Sequence, residues 1–173
     1  MELLIFSDSH GKREAMERAF CAQIRCPDLV LHLGDGMGDL TNLQGLGVPI
    51  VAVRGNCDWF GCEGTSEEFV LQELGHTILM THGHRFGVKG GIGGLLAHAA
   101  KNDADIVLFG HTHQPLSLCI PAGELVGGVV LSRPMYVFNP GSIGKAERDD
   151  GYSFGTLSLT RQAVLLSHGR IPY

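Results

Sequence analysis

At 173 residues, 44% hydrophobic and 18% charged, the chain suits one well-buried domain spanning residues 1–173 and is too short for two ordinary ones. A formal net charge of −5 argues against a nucleic-acid surface or an anionic membrane as main partner, yet leaves room for a small phosphorylated substrate. The longest apolar stretches are strand-length, so no transmembrane helix is expected.

The chain opens MELLIFSDSHG, with an acid at position 2 and neither a basic n-region nor a cleavage pattern, so a cytoplasmic enzyme is expected. Residues 2–7 read as a buried strand that runs into Asp8-Ser9-His10. From Lys12 to about Ile24 the spacing is helical, with Ala15, Met16, Ala19, Phe20 and Ile24 on one stripe. Cys21 and Cys26 flank the end of that helix and read as packing residues. The chain's five cysteines include no C-x-x-C pair, so neither a disulfide framework nor a zinc ribbon is indicated. Strands follow at 28–33, running into Asp35, and at 49–53, running into Asn56, across a Gly-rich connection with room for a short helix. This alternation implies parallel neighbours joined by right-handed crossovers.

Glu67–Leu71 and His76–Met80, on either side of Leu74-Gly75, read as a hairpin whose second arm runs into His82. Gly87–Gly94 matches neither phosphate-binding glycine motif and reads as a loop before a helix at 92–102. The strand at 105–109 runs into His111-Thr112-His113. From Pro115 onward the pattern is strand and turn: 115–120, 124–131, 135–138, 152–159 and 162–168. A mixed half followed by a β-rich half suggests two sheets packed face to face with helices outside. The stretch 115–138 is longer than a site at the strand ends needs; it could shape substrate choice or pair subunits into a homo-oligomer.

Five apolar runs thus end on Asp8, His10, Asp35, Asn56, His82, His111 and His113, and in open α/β sheets chemistry collects at the carboxyl ends of strands. In an extended segment positions i and i+2 share a side, so Asp8 with His10, and His111 with His113, could each grip one ion. Asp35 stands alone with two oxygens to share and is the natural bridge, while His82 and Asn56 complete a second sphere. Any one Asp after a strand is more often a cap or turn former; seven donors after five strands require five coincidences. His32 and His76 read as hydrogen-bonded core residues, and His98 and His168 as ordinary helix or strand residues. Too many donors for one ion point to a two-metal hydrolase, in which ions about 3.5–4 Å apart share a water, lower its pKa toward about 7 and clamp a phosphoryl group during in-line attack. Imidazole, carboxylate and amide donors without thiolate favour Mn, Fe, Zn or Ni.

The ordered pattern Asp8-x-His10, Gly34-Asp35, Gly55-Asn56-Cys57-Asp58, His82-Gly83-His84, Gly110-His111-x-His113 and Asn139-Pro-Gly-Ser142 resembles the calcineurin-like metallophosphoesterases, in their small bacterial and archaeal phosphodiesterase branch. The resemblance implies a four-layer αββα sandwich of two mixed β-sheets flanked by helices. It places one ion at Asp8, His10, Asp35 and His113 and the other at Asp35, Asn56, His82 and His111, with manganese the activating ion. A bridging hydroxide would attack a small phosphodiester. The larger family has His after the Asn, as the group that protonates the leaving group; Cys57 stands there, and a neutral thiol is a poor donor near neutral pH, which favours good leaving groups. His84 could contact the phosphoryl oxygens, alongside Asn56, or supply the proton; a supporting role for its ring is equally compatible. Asp58 could orient Asn56 or Cys57, or be a turn residue. Asp39 lies one place off the family's Gly-Asp-x-x-Asp spacing and is given no role. The same fold also resembles the retromer scaffold subunit, a protein-interaction module that lacks part of the donor set present in this chain.

Overall fold

The computed structural model describes residues 1–59, 62, 64–145 and 151–173. Strands β1 (Glu2–Phe6), β2 (Leu29–His32) and β3 (Ile50–Ala52) alternate with helices α1 (Arg13–Cys21) and α2 (Thr41–Gln44). The hairpin β4 (Glu68–Glu73) and β5 (His76–Thr81) follows, then α3 (Gly93–Lys101) and β6 (Ile106–Phe109). The remainder is β7 (Leu116–Ile120), β8 (Leu125–Val126), β9 (Val129–Val130), β10 (Met135–Asn139), β11 (Tyr152–Leu159) and β12 (Val164–Ile171).

Two five-stranded sheets form, ordered β12-β11-β1-β2-β3 and β4-β5-β6-β10-β7. Both are mixed: β1, β2 and β3 run parallel, as do β5, β6 and β10, with antiparallel partners outside them. Side chains alternate across each strand, and three apolar layers result. Leu3, Ile5, Leu31, Ile78, Met80, Leu108 and Phe138 meet between the sheets. Leu4, Phe6 and Val30 turn outward onto Ala15, Met16 and Ala19 of α1 and Leu43 of α2. On the other side Leu79, Val107 and Val137 pack on Leu95, Ala99 and Ala100 of α3. The order helix, sheet, sheet, helix is the expected four-layer sandwich.

Three local expectations need correction. Helix α1 stops at Cys21, and Ile24 is fully exposed rather than on the buried stripe. The Gln23 side chain donates to Ala19 O at 2.7 Å, taking a carbonyl that a continuing helix would use, and Pro27 disfavours helix at Cys26. Cys21 and Cys26 are accordingly exposed, not packed. The single strand expected at 124–131 is a small hairpin, because Gly127 and Gly128 both take positive φ, 56° and 88°, the combination a two-residue turn demands. Its Val126 and Val129 face the α3 layer, while Leu125 and Val130 face out.

The lone histidines follow expectation in part. His76 bridges the sheets, with Nδ1 2.6 Å from Asp105 Oδ2 and Nε2 donating to Thr160 O at 2.9 Å. His168 stacks on Phe138 and donates to Asn139 O, and His98 pairs with Glu68 at 2.8 Å. His32 is fully buried, its Nδ1 accepting from Gly34 N–H at 3.2 Å. Among the described residues no helix is long and apolar enough to cross a membrane.

Candidate metal centre

The loops that leave the carboxyl ends of β1 and β2 in one sheet and of β5 and β6 in the other converge. They bring six of the seven expected donors together. Asp8, His10 and His113 form one trio with donor atoms within 4.8 Å of each other, and Asp35, His82 and His111 form a second. His10, Asp35 and Cys57 satisfy the same limit, so Asp35 borders both sides. Asn56 is on the loop after β3 but exposed, and its amide donates to Cys57 Sγ at 3.3 Å.

The convergence is not reached through extended backbone. Of the seven described non-glycine residues with positive φ, five are Asp8, His10, Asp35, His111 and His113, at 43–66°. Left-handed backbone at such residues costs about 1–3 kcal/mol each and collects where function over-determines it. Pairs two apart therefore share a side through tight bends, each locked by distant groups.

Those locks are specific. Asp8 Oδ2 accepts from Ser7 Oγ and from His111 N–H, and Asp8 O accepts from Ser142 Oγ at 2.7 Å. Asn139 donates to Gly110 O and Thr112 Oγ1 at 2.9 and 3.1 Å, so the Asn139–Ser142 turn steadies both the Asp8 and the His111 loops. Asp39, given no role from sequence, is buried and accepts from Ser9 Oγ, Gly11 N–H and Arg13 Nε, pinning the two sides of His10. Among the described residues no hydrogen bond joins Asp58 to the Asn56 or Cys57 side chain. The Asp58 carboxylate accepts four backbone N–H groups, of Asp35, Gly36, Met37 and Gly55, at 2.7–2.9 Å, and so fastens the Asp35 loop to the Asn56 loop. No sequence spacing signals these two roles, because each depends on loops meeting in space. Gly55 and Gly110 make the approaches possible: a Cβ at Gly55 would lie 2.6 Å from Asp35 N, and one at Gly110 would lie 2.9 Å from Asp8 Oδ2.

The donors face one another in an arrangement that wants a cation. His82 Nδ1 donates to Leu33 O at 2.7 Å, which fixes the tautomer and leaves the Nε2 lone pair directed inward. That Nε2 lies 3.4 Å from Asp35 Oδ2, 3.9 Å from Asp8 Oδ1 and 3.2 Å from His111 Nδ1. Asp8 Oδ1 is buried without a hydrogen-bond partner, with Nε2 of His113 and His10 at 3.1 and 3.9 Å. Acceptors against acceptors repel unless a proton or a metal ion lies between them. Burial opposes charge on His82, but Asp35 and Asp8 outweigh it and raise its pKa. Burial likewise opposes ionised Asp35, yet His82 and the Cys57 N–H hold its carboxyl well below the usual range. Burial and the charge of His82 bring His111 down to about 4, leaving a neutral imidazole able to coordinate.

His84 is partly buried, its ring 5.4 Å from that of His82 and 6.2 Å from that of His111, and its Nδ1 is buried and unpartnered. Burial and His82 lower its pKa. Cys57 is exposed, and burial of its thiol together with Asp35 and Asp58 pushes it up to about 11.

Residues 1–162 match the family model of the calcineurin-like phosphoesterase superfamily domain. The chain is 31% identical to the probable metallophosphoesterase YsnB of Bacillus subtilis, over 91% of this chain and 85% of that protein. It is 27% identical to the phosphodiesterase YfcE of Escherichia coli, over 91% and 87% respectively. Its fold is similar to that of Vps29 from Entamoeba histolytica, solved with zinc, at a TM-score of 0.69 and 22% identity over 98% of this chain and 99% of that one.

Proposed function

The chain belongs to the calcineurin-like phosphoesterase superfamily, and from that premise we propose that it is a divalent-metal-dependent phosphodiesterase working through a two-ion centre. Asp8, His10, Asp35 and His113 would hold one ion, and Asp35, Asn56, His82 and His111 the other, with manganese the activating ion. The observation that carries this reading is the His82 Nε2 lone pair facing the Asp35 carboxylate at 3.4 Å, with Asp8 Oδ1 buried and unpartnered beside it. The donor set, oxygen and imidazole nitrogen without thiolate, fits such ions. Asn56, on the loop after β3, would add its amide oxygen to the set.

Two bound divalent ions supply a nucleophile of lowered pKa and neutralise charge on the phosphoryl oxygens. The protein's own groups do the rest. Asp58, Asp39 and the Asn139–Ser142 turn hold the donor loops in left-handed bends before any substrate arrives. His84, kept neutral by burial, offers a ring N–H to a phosphoryl oxygen rather than acting as a strong acid. Cys57, protonated across the neutral range, stands at the position of the family's leaving-group acid and would be a weak proton donor. Diesters with good leaving groups, such as phenolates, are therefore the preferred substrates. The scaffold alternative draws on likeness of fold alone.

The test is manganese-dependent hydrolysis of bis-p-nitrophenyl phosphate. Asp35→Ala and His82→Ala abolish it while circular dichroism shows the fold retained; unchanged turnover in either variant contradicts the site.

A further inference from the structure

A cleft bordered by β4, the end of β5 and the turn at His84–Phe86 encloses about 590 Å³, room for an organic substituent rather than a phosphate alone. Arg54, Glu67, Glu68, Arg85, Phe86 and His98 form much of its wall. Its lining runs directly into the donor loops: Arg54 precedes Gly55-Asn56-Cys57, Thr81 precedes His82, and Arg85 follows His84.

Its chemistry is that of a hydrogen-bonding array without net charge. Arg54 donates to Glu67 Oε1 and Arg85 to Glu67 Oε2, each at 3.0 Å. Glu68 faces the same space, paired with His98 at 2.8 Å. Two carboxylates balance two guanidiniums, so a second phosphate would gain little there. Unused valence remains, however: each guanidinium has N–H donors to spare, each Glu67 oxygen keeps a lone pair, and Arg54 Nε is buried with no partner. The Phe86 ring, 5.0 Å from that of His98, adds an aromatic surface. A guanidinium beside a carboxylate, next to an aromatic ring, matches a neutral planar heterocycle that carries two acceptors and two donors side by side.

We propose that this cleft is the subsite for a nucleoside borne by the phosphodiester, with guanosine the best match. Guanine O6 and N7 accept from a guanidinium, the pairing Arg uses on guanine edges, while N1–H and the N2 amino group donate to Glu67. Phe86 supports the ring face. The inference rests on the adjoining cluster being the place of cleavage, but the cleft is built from residues outside that cluster and binds without metal.

The experiment has two arms. In the metal-free protein, amide NMR signals of residues around the cleft are followed as guanosine is added, with glycerol as the comparison. Guanosine gives saturable shifts at the cleft, weakened about tenfold or more by Arg85→Ala or Glu67→Gln, the effect of losing hydrogen bonds to charged partners. With manganese, Arg85→Ala lowers kcat/KM for the p-nitrophenyl ester of GMP roughly tenfold relative to bis-p-nitrophenyl phosphate. No guanosine shifts at the cleft, or saturation in both variants at the same concentration as in the wild type, overturns the subsite, as does preferential binding of glycerol. Failure to turn over either ester would instead sink the two-ion reading, and guanosine shifts in the metal-free protein would still support the subsite.

Discussion

His82 and Asp35 face each other across 3.4 Å, lone pair to carboxylate, because the ring proton of His82 is on Nδ1, where it is donated to Leu33 O. The two residues come from different sheets, His82 after β5 and Asp35 after β2. The centre therefore sits on the seam of the sandwich, and whatever holds the two loops in place controls it.

Asp58 is the main such device. Replacing it with Ala removes the acceptor of four backbone N–H groups. Stability in urea falls by roughly 2–3 kcal/mol, and manganese affinity falls about 10–100-fold, as when partners of ligating loops are lost. A variant with wild-type metal affinity would show that Asp58 is only a turn residue.

Metal removal separates a structural from an adventitious ion. An ion held at a hundred times its dissociation constant adds about 2.7 kcal/mol, which for a chain of this size is roughly 5–10 °C in Tm. Thermal melts with manganese and with EDTA differ by that margin; identical melts contradict a site of useful affinity.

Cys57→His places a group of ordinary pKa about 6.5 where a thiol of pKa about 11 now stands. Hydrolysis of esters with poor leaving groups rises roughly 100-fold, and the gain is lost above neutral pH as the imidazole deprotonates. Bis-p-nitrophenyl phosphate, whose phenolate leaves unaided, changes far less. Equal effects on both substrates would remove Cys57 from the leaving-group side.

His32 makes the metal-free fold acid-sensitive. Burial brings it down to about 4 from 6.5. Between those values the unfolded chain binds a proton that the folded chain refuses, so stability falls as pH falls through the window. The whole effect is on the order of 3 kcal/mol. Urea midpoints at pH 7 and 4.5 show a smaller acid loss in His32→Gln than in the wild type; equal losses place the acid sensitivity elsewhere.

Much of the site was legible in the chain because apolar runs and polar punctuation coincide: Phe6 to Asp8, Leu33 to Asp35, Phe109 to His111. The hairpin turn at Leu74-Gly75 and the α3 segment were legible for the same reason, local pattern matching local structure. The left-handed backbone at Asp8, His10 and His113 was not, since a non-glycine residue bears no compositional mark of positive φ. The bracing contacts of Asp39 and Asp58 carry no mark in the sequence, because partners up to 30 residues away lie on loops that meet only in the fold. Gly127-Gly128 did carry a readable signal, a two-residue turn that splits the strand expected at 124–131.

The most direct measurement is anomalous diffraction at the manganese edge from crystals grown with the ion. The account predicts two peaks about 3.5–4 Å apart with the Asp35 carboxylate between them and His82 Nε2 on one. A single peak away from Asp35, or none with manganese in excess, would contradict it.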